Sequence, residues 1–168
     1  YWTSKFISEK GADIIAVSDA GGGTYDENGL DVDKLKKYEQ EERTVNNFQN
    51  SEISNEELFQ LDVDLLIPAA IGNVITKDVA ENIKADLVVE GANAPTTEGG
   101  DEVLKEKDIP VVPDILANAG GVIASYVEWR GGKSGSKTKK QETYQIIDEN
   151  KWDAFGEVVN AVNDMNNL

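Results

Sequence analysis

Apolar positions in this chain fall into blocks of two periods. Four short blocks have no polar face: Ile14-Ile15-Ala16-Val17-Ser18, Asp64–Pro68, Ala85–Glu90 and Ile109–Val112. Unbroken apolar runs of strand length are the pattern of parallel strands buried on both sides. Between them the period lengthens to that of helices. Trp2, Phe6 and Ile7 share one face of a helix over Trp2–Lys10, which Gly11 stops. Asp31 is placed to cap a second helix holding Lys34 to Tyr38, and Asn55–Leu58 reads as a brief helical turn. Further helices are predicted near Thr76–Asn82 and Asp101–Lys107, and a short strand around Thr44–Phe48. Gly21-Gly22-Gly23 and Asn28-Gly29 supply turn chemistry. Strands alternating with helices at these distances predict an α/β fold with a doubly wound, mostly parallel sheet.

The texture changes after Trp129. Arg130-Gly131-Gly132-Lys133-Ser134-Gly135-Ser136-Lys137 reads as a flexible basic loop. From Glu142 onward, Ile146, Ile147, Trp152, Phe155, Val158, Val159 and Val162 are spaced for one or two amphipathic helices. The expected division is therefore 1–129 as one α/β domain, 130–141 as a loop, and 142–168 as helices packing on the same domain. Tyr126, Trp129 and Trp152 are assigned to the core.

Composition narrows the chemistry. A length of 168 residues suits one domain with a real core. The net charge of −16 repels nucleic acid and anionic membrane, so neither is an expected partner. No apolar run approaches the ~20 residues of a membrane span, and no basic-then-apolar leader is seen. With no cysteine and no histidine, disulfides, thiolate metal sites and the commonest general base are all excluded. No metal ligand set is expected.

Candidate binding residues cluster where strands end. Pro68-Ala69-Ala70, Gly91-Ala92-Asn93 and Asn118-Ala119-Gly120-Gly121 each follow a predicted strand as a corner of small residues, the last two with an asparagine. The carboxyl ends of strands in an open α/β sheet are where ligands bind, because amide donors and helix dipoles converge there. Small side chains at Ala69 and Ala70 let a flat ring or ribose approach the backbone, while Asn93 and Asn118 both donate and accept. Either asparagine alone reads more readily as a turn or cap residue; three such corners at successive strand ends are harder to explain by turns. Asp19 closes the first apolar run, where a carboxylate can accept from both hydroxyls of a ribose. Ser125 lies seven residues after Asn118, about two helical turns on, and could donate to a substrate carboxylate. Lacking a histidine partner, it is not a nucleophile.

A dinucleotide fold opens with a strand, a G-x-G-x-x-G loop and a helix, with an acidic residue about twenty positions on. Here the helix comes first and Asp19 arrives on schedule. The expectation is thus a Rossmann-like doubly wound sheet lacking its first strand and glycine-rich loop. Missing a central strand, such a sheet would fold poorly alone or pair differently.

Ser18-Asp19 with its glycine-rich turn, Pro68-Ala69-Ala70, Glu90-Gly91-Ala92-Asn93-Ala94-Pro95-Thr96-Thr97 and Asn118-Ala119-Gly120-Gly121-Val122 with Ser125-Tyr126 and Glu128-Trp129 occur in one order. In this the chain resembles the nucleotide-binding domain of glutamate dehydrogenases, over roughly Trp2 to Trp129. The resemblance implies NAD or NADP as cofactor, with adenosine ribose at Asp19, a cradle at Ala69 and Ala70, nicotinamide ribose at Asn93 and Asn118, and the substrate's side-chain carboxylate at Ser125. It implies glutamate and 2-oxoglutarate as substrates, a cytoplasmic homo-oligomer (a hexamer), and a catalytic lysine and aspartate outside this chain. Arg130–Gln141 departs from the family pattern. Two alternatives stand beside this reading: an amino-acid dehydrogenase of another side-chain preference, and a non-catalytic nucleotide-binding module.

Overall fold

The computed structural model describes residues 1–135 and 139–166, with side chains through 162. It has mixed α/β architecture and divides into two compact units, Tyr1–Asp64 with Asp78–Asp86, and Leu65–Lys77 with Leu87–Leu168. The division crosses the stretch that the sequence pattern reads as one domain.

In the first unit, α1 (Trp2–Ser8) forms as the period predicts, but Trp2 and Phe6 stack on each other while 64% and 52% exposed. The apolar run at 14–18 gives strand β1 (Ala16–Asp19), and its neighbour is not parallel. It pairs antiparallel with β2 (Gly22–Tyr25), Val17 opposite Thr24. An apolar run carries no information on the direction of its partner. Here the predicted Gly21–Gly23 turn shrinks, and Gly22 and Gly23 enter the strand. A Cβ on Gly23 would stand 2.7 Å from the Val17 carbonyl, so only glycine permits this pairing. Asp31 caps α2 (Val32–Glu42), its carboxylate accepting from the Lys34 amide at 2.9 Å. The strand expected at 44–48 is absent. Asn47, Gln49 and Asn50 adopt left-handed φ of 58 to 62°, around a single 3-10 turn at Phe48–Asn50. Asparagine tolerates that conformation through local hydrogen bonding, and a strand cannot. Ser54 and Glu57 form a reciprocal capping box on α3 (Asn55–Phe59). Leu30, Leu35, Val45 and Phe48 make the core, with Val17 and Tyr38 packed against it. Helix α4 (Lys77–Asn82) lies in this unit from Asp78 onward.

The second unit holds the parallel sheet, β3 (Leu65–Leu66), β4 (Leu87–Val89) and β5 (Val111–Val112), in that order. Thr97 caps α5 (Glu98–Glu106), which runs between β4 and β5. Ile75, Val88 and Leu104 are fully buried, each worth about 1.5–3 kcal/mol of burial. Gly100 is packed so tightly that a Cβ there would overlap the Ile75 carbonyl. After β5 come α6 (Asp114–Ala117) and α7 (Gly120–Ser134). The loop predicted to start at Arg130 is helical to Ser134, and Gly135 ends it at φ 69°. Residues 136–138 of that predicted loop lie outside the described residues. A single helix, α8 (Lys140–Asn166), follows and packs on α6 and α7. Tyr126, Trp129 and Trp152, assigned to the core by sequence, are 56%, 57% and 70% exposed. Helical period identifies a face and not what covers it. No described helix is long and apolar enough to cross a membrane.

Candidate dinucleotide site at three strand ends

The three small-residue corners meet in the second unit. Backbone bonds join the first two: the Ala92 amide donates to the Pro68 carbonyl at 2.8 Å, and the Asn73 amide to the Ala94 carbonyl at 2.8 Å. A Cβ on Gly91 would stand 3.1 Å from the Ala69 Cβ, and one on Gly72 would stand 2.9 Å from the Asn93 carbonyl. Both glycines therefore serve close approach. The third corner is tied in by a side chain. Asn118 Nδ2 donates to the Ala92 carbonyl at 3.2 Å and to Asn93 Oδ1 at 2.8 Å.

These bonds spend half of each asparagine. Among the described residues, Asn93 Nδ2 and Asn118 Oδ1 have no partner, leaving one donor group and one acceptor at the rim. Ala69, Ala70 and Asn93 are exposed, and a Cβ on Gly121 would meet nothing within 4 Å. An open floor of backbone and methyl groups beside one amide donor and one acceptor suits a ribose or carboxamide. The residues present fit a dinucleotide's nicotinamide end.

Two carboxylates brace the corners, and sequence reasoning gave them no role. Glu90, only 8% exposed at the end of β4, accepts the Asp114 amide at 3.0 Å. Asp114 in turn accepts the Ala94 amide at 2.8 Å and the Ile115 amide at 2.6 Å. Ala94 has φ 41°, which costs a residue with a Cβ roughly 1–2 kcal/mol. The available signal was a carboxylate closing a buried strand, where an acidic side chain needs a donor.

The remaining candidates stand apart from this cluster of bonds. Ser125 is exposed on α7, and its hydroxyl donates to the Gly121 carbonyl one turn back at 3.0 Å. Asp19 belongs to the first unit, where its carboxylate accepts from the Gly21 amide at 2.7 Å, the Thr44 hydroxyl at 3.1 Å and the Val45 amide at 2.7 Å. Burial pushes this carboxyl up, but the Val45, Gly21 and Thr44 donors outweigh it and hold it below the ordinary aspartate value. Three of about four acceptor sites are thus in use. A shallow hollow of about 390 Å³ adjoins it, lined by Ala20, Gly21, Gly22, Ile53, Asn55 and Glu57 among others. No group of three or more acidic side chains that could hold a metal occurs among the described residues.

Comparison with known proteins gives this geometry a context. A family model described as Glutamate/Leucine/Phenylalanine/Valine dehydrogenase matches residues 1–168. The NADP-specific glutamate dehydrogenase of Saccharolobus shibatae is 48% identical over 155 residues, 92% of this chain and 37% of that protein. The NAD-specific glutamate dehydrogenase A of Halobacterium salinarum is 52% identical over 126 residues, 75% of this chain and 29% of that protein. Among solved structures, the hetero-hexameric glutamate dehydrogenase of Thermus thermophilus superposes with a TM-score of 0.81 at 27% identity, covering 88% of this chain and 35% of that one. The chain spans 29% to 37% of the length of these three relatives.

Proposed function

The chain belongs to the Glutamate/Leucine/Phenylalanine/Valine dehydrogenase family, and from this premise we propose that it is the cofactor-binding portion of an NAD(P)-dependent glutamate dehydrogenase. In that reading the whole protein oxidatively deaminates L-glutamate to 2-oxoglutarate and ammonia, with its catalytic lysine and aspartate outside this chain. The observation that supports it best is the joining of three strand-end corners through Asn118, Asn93 and Gly91.

Ala69 and Ala70 leave room for the dinucleotide to lie against the backbone. Asn93 Nδ2 donates to, and Asn118 Oδ1 accepts from, the nicotinamide ribose or carboxamide. When bound, the cofactor supplies a hydride acceptor. Asp19 keeps one acceptor site for the adenosine ribose. Ser125 binds the substrate's side-chain carboxylate by turning its hydroxyl from the Gly121 carbonyl, a local bond of modest worth. In this reading the assembled protein is a cytoplasmic homo-oligomer, a hexamer of one kind of chain where the Thermus thermophilus neighbour is hetero-hexameric.

Titration of this chain with NADH and NADPH, beside a supplied amino-terminal substrate domain, tests the reading. Binding of either cofactor is expected, and Asn118→Ala should weaken it about tenfold, the worth of one or two hydrogen bonds. Ser125→Ala should raise the KM for glutamate while leaving cofactor affinity alone. Cofactor binding without glutamate turnover in the assembled protein would point to the non-catalytic nucleotide-binding module instead, and absence of binding would overturn both readings.

A further inference from the structure

We propose that Asp114 is a positioning residue, holding the Asn93–Ala94 peptide in a left-handed turn so that the Asn93 amide faces the bound dinucleotide. This rests on the dinucleotide reading of the three corners.

That peptide is the hub of the cluster. The Ala94 carbonyl just after it takes the Asn73 amide, three residues past the first corner, and the Asn93 side chain takes Asn118 Nδ2 from the third. The bare Cα of Gly72 lies beneath it, where a Cβ would press the Asn93 and Ala94 carbonyls at 2.9 and 3.1 Å. Yet Ala94 carries a φ of 41°, which alanine avoids when nothing restrains it. The restraint is Asp114, whose Oδ2 accepts the Ala94 amide at 2.8 Å. Its Oδ1 is committed to its neighbour's amide, that of Ile115, and its own amide is anchored by the buried Glu90 carboxylate. The side chain is therefore fixed from two directions before it reaches Ala94. A carboxylate with fixed orientation accepts a charge-assisted hydrogen bond of greater strength than a neutral acceptor makes. Loss of that bond frees the turn, and the Asn93 amide loses its aim although it is itself unaltered.

The test uses the full chain assembled with the same substrate domain, with NADH affinity read by nicotinamide fluorescence and hydrogen exchange read at the Ala94 amide. Asp114→Ala should speed exchange at Ala94 and weaken NADH binding, each about tenfold. Adding Ala94→Gly to that variant removes the strain of the left-handed turn, and binding should return to within about threefold of the parent. Asp114→Asn keeps one acceptor oxygen and should weaken binding about threefold with faster exchange at Ala94; it carries the test if the alanine variant does not fold. Unchanged affinity in a folded Asp114 variant overturns the positioning role. So does weakened affinity with unchanged exchange at Ala94, or a double variant no better than Asp114→Ala. If the parent chain, assembled with the substrate domain, binds no NADH but exchange at Ala94 still responds to Asp114, the dinucleotide reading has failed, and the turn is held for another purpose.

Discussion

The two units treat the polar residues at their strand ends in opposite ways. In the first, Asp19 closes β1 and is drawn into the unit's own scaffolding by the Gly21, Thr44 and Val45 donors, while its carbonyl accepts from Asn55 Nδ2. In the second, Asn93 and Asn118 bond to each other through one half of each amide and keep the other half at the rim. The first unit spends polar capacity on a two-stranded hairpin, which has too little sheet to stand alone. The second has a three-stranded parallel sheet with Ile75, Val88 and Leu104 fully buried. There Glu90 and Asp114 take the bracing duty, and half of each asparagine amide is left for a ligand.

The largest effect that sharpens this contrast is expected at Gly100. Its Cβ would overlap a backbone carbonyl that cannot move without shifting the Ile75 bridge, so Gly100→Ala should cost roughly 3 kcal/mol or more. A shift of the urea midpoint, with exchange lost along β4 and β5, measures it; a stability within 1 kcal/mol of the parent, about the spread of ordinary substitutions, would show the corner to be more yielding than its geometry implies.

An intermediate effect is expected at Asp19. Its carboxyl titrates below the value of an unfolded aspartate, near 3.8. A depressed carboxyl contributes stability that is complete above the unfolded value and is lost as pH falls through the folded one. Unfolding midpoints from pH 6 to pH 2 should therefore drop below about pH 4 more steeply in the parent than in Asp19→Asn. At pH 6 that variant should be less stable by about 1–2 kcal/mol, the cost of weakening charge-assisted bonds. Parallel pH profiles would place Asp19 with the unspent groups and erase the contrast.

The smallest effect is expected at Ser54, whose hydroxyl accepts the Glu57 amide at 3.1 Å while Glu57 accepts back. Ser54→Ala should cost about 1 kcal/mol, read as a small fall in the thermal midpoint with cofactor affinity unchanged.

Much of the fold was legible because its signals are local. The Asp31 cap, the Gly11 stop after α1 and the apolar runs of β3, β4 and β5 depend on residues within a turn or two of each other. The strand predicted at 44–48 failed where Asn47, Gln49 and Asn50 turned left-handed, and the loop at Arg130 failed because Gly131 and Gly132 were tolerated inside a helix. At the candidate site, type and spacing are enough to nominate Ala69, Asn93 and Asn118, and the structure brings their three corners together. Local pattern marks Glu90 only as a carboxylate closing a buried strand, and marks Asp114 not at all; their partners appear once residues some twenty positions apart come within hydrogen-bond reach.

The order of residues alone determined the α/β class, the corners at three strand ends and the family likeness, since period and small-residue motifs are properties of contiguous chain. Tertiary structure decided which way β1 pairs, which face of α7 is covered, and that Asn118 turns toward Asn93 while Asp19 turns inward. Those choices are settled by competition among distant donors, acceptors and apolar surfaces for the same partners, and no local pattern records who wins.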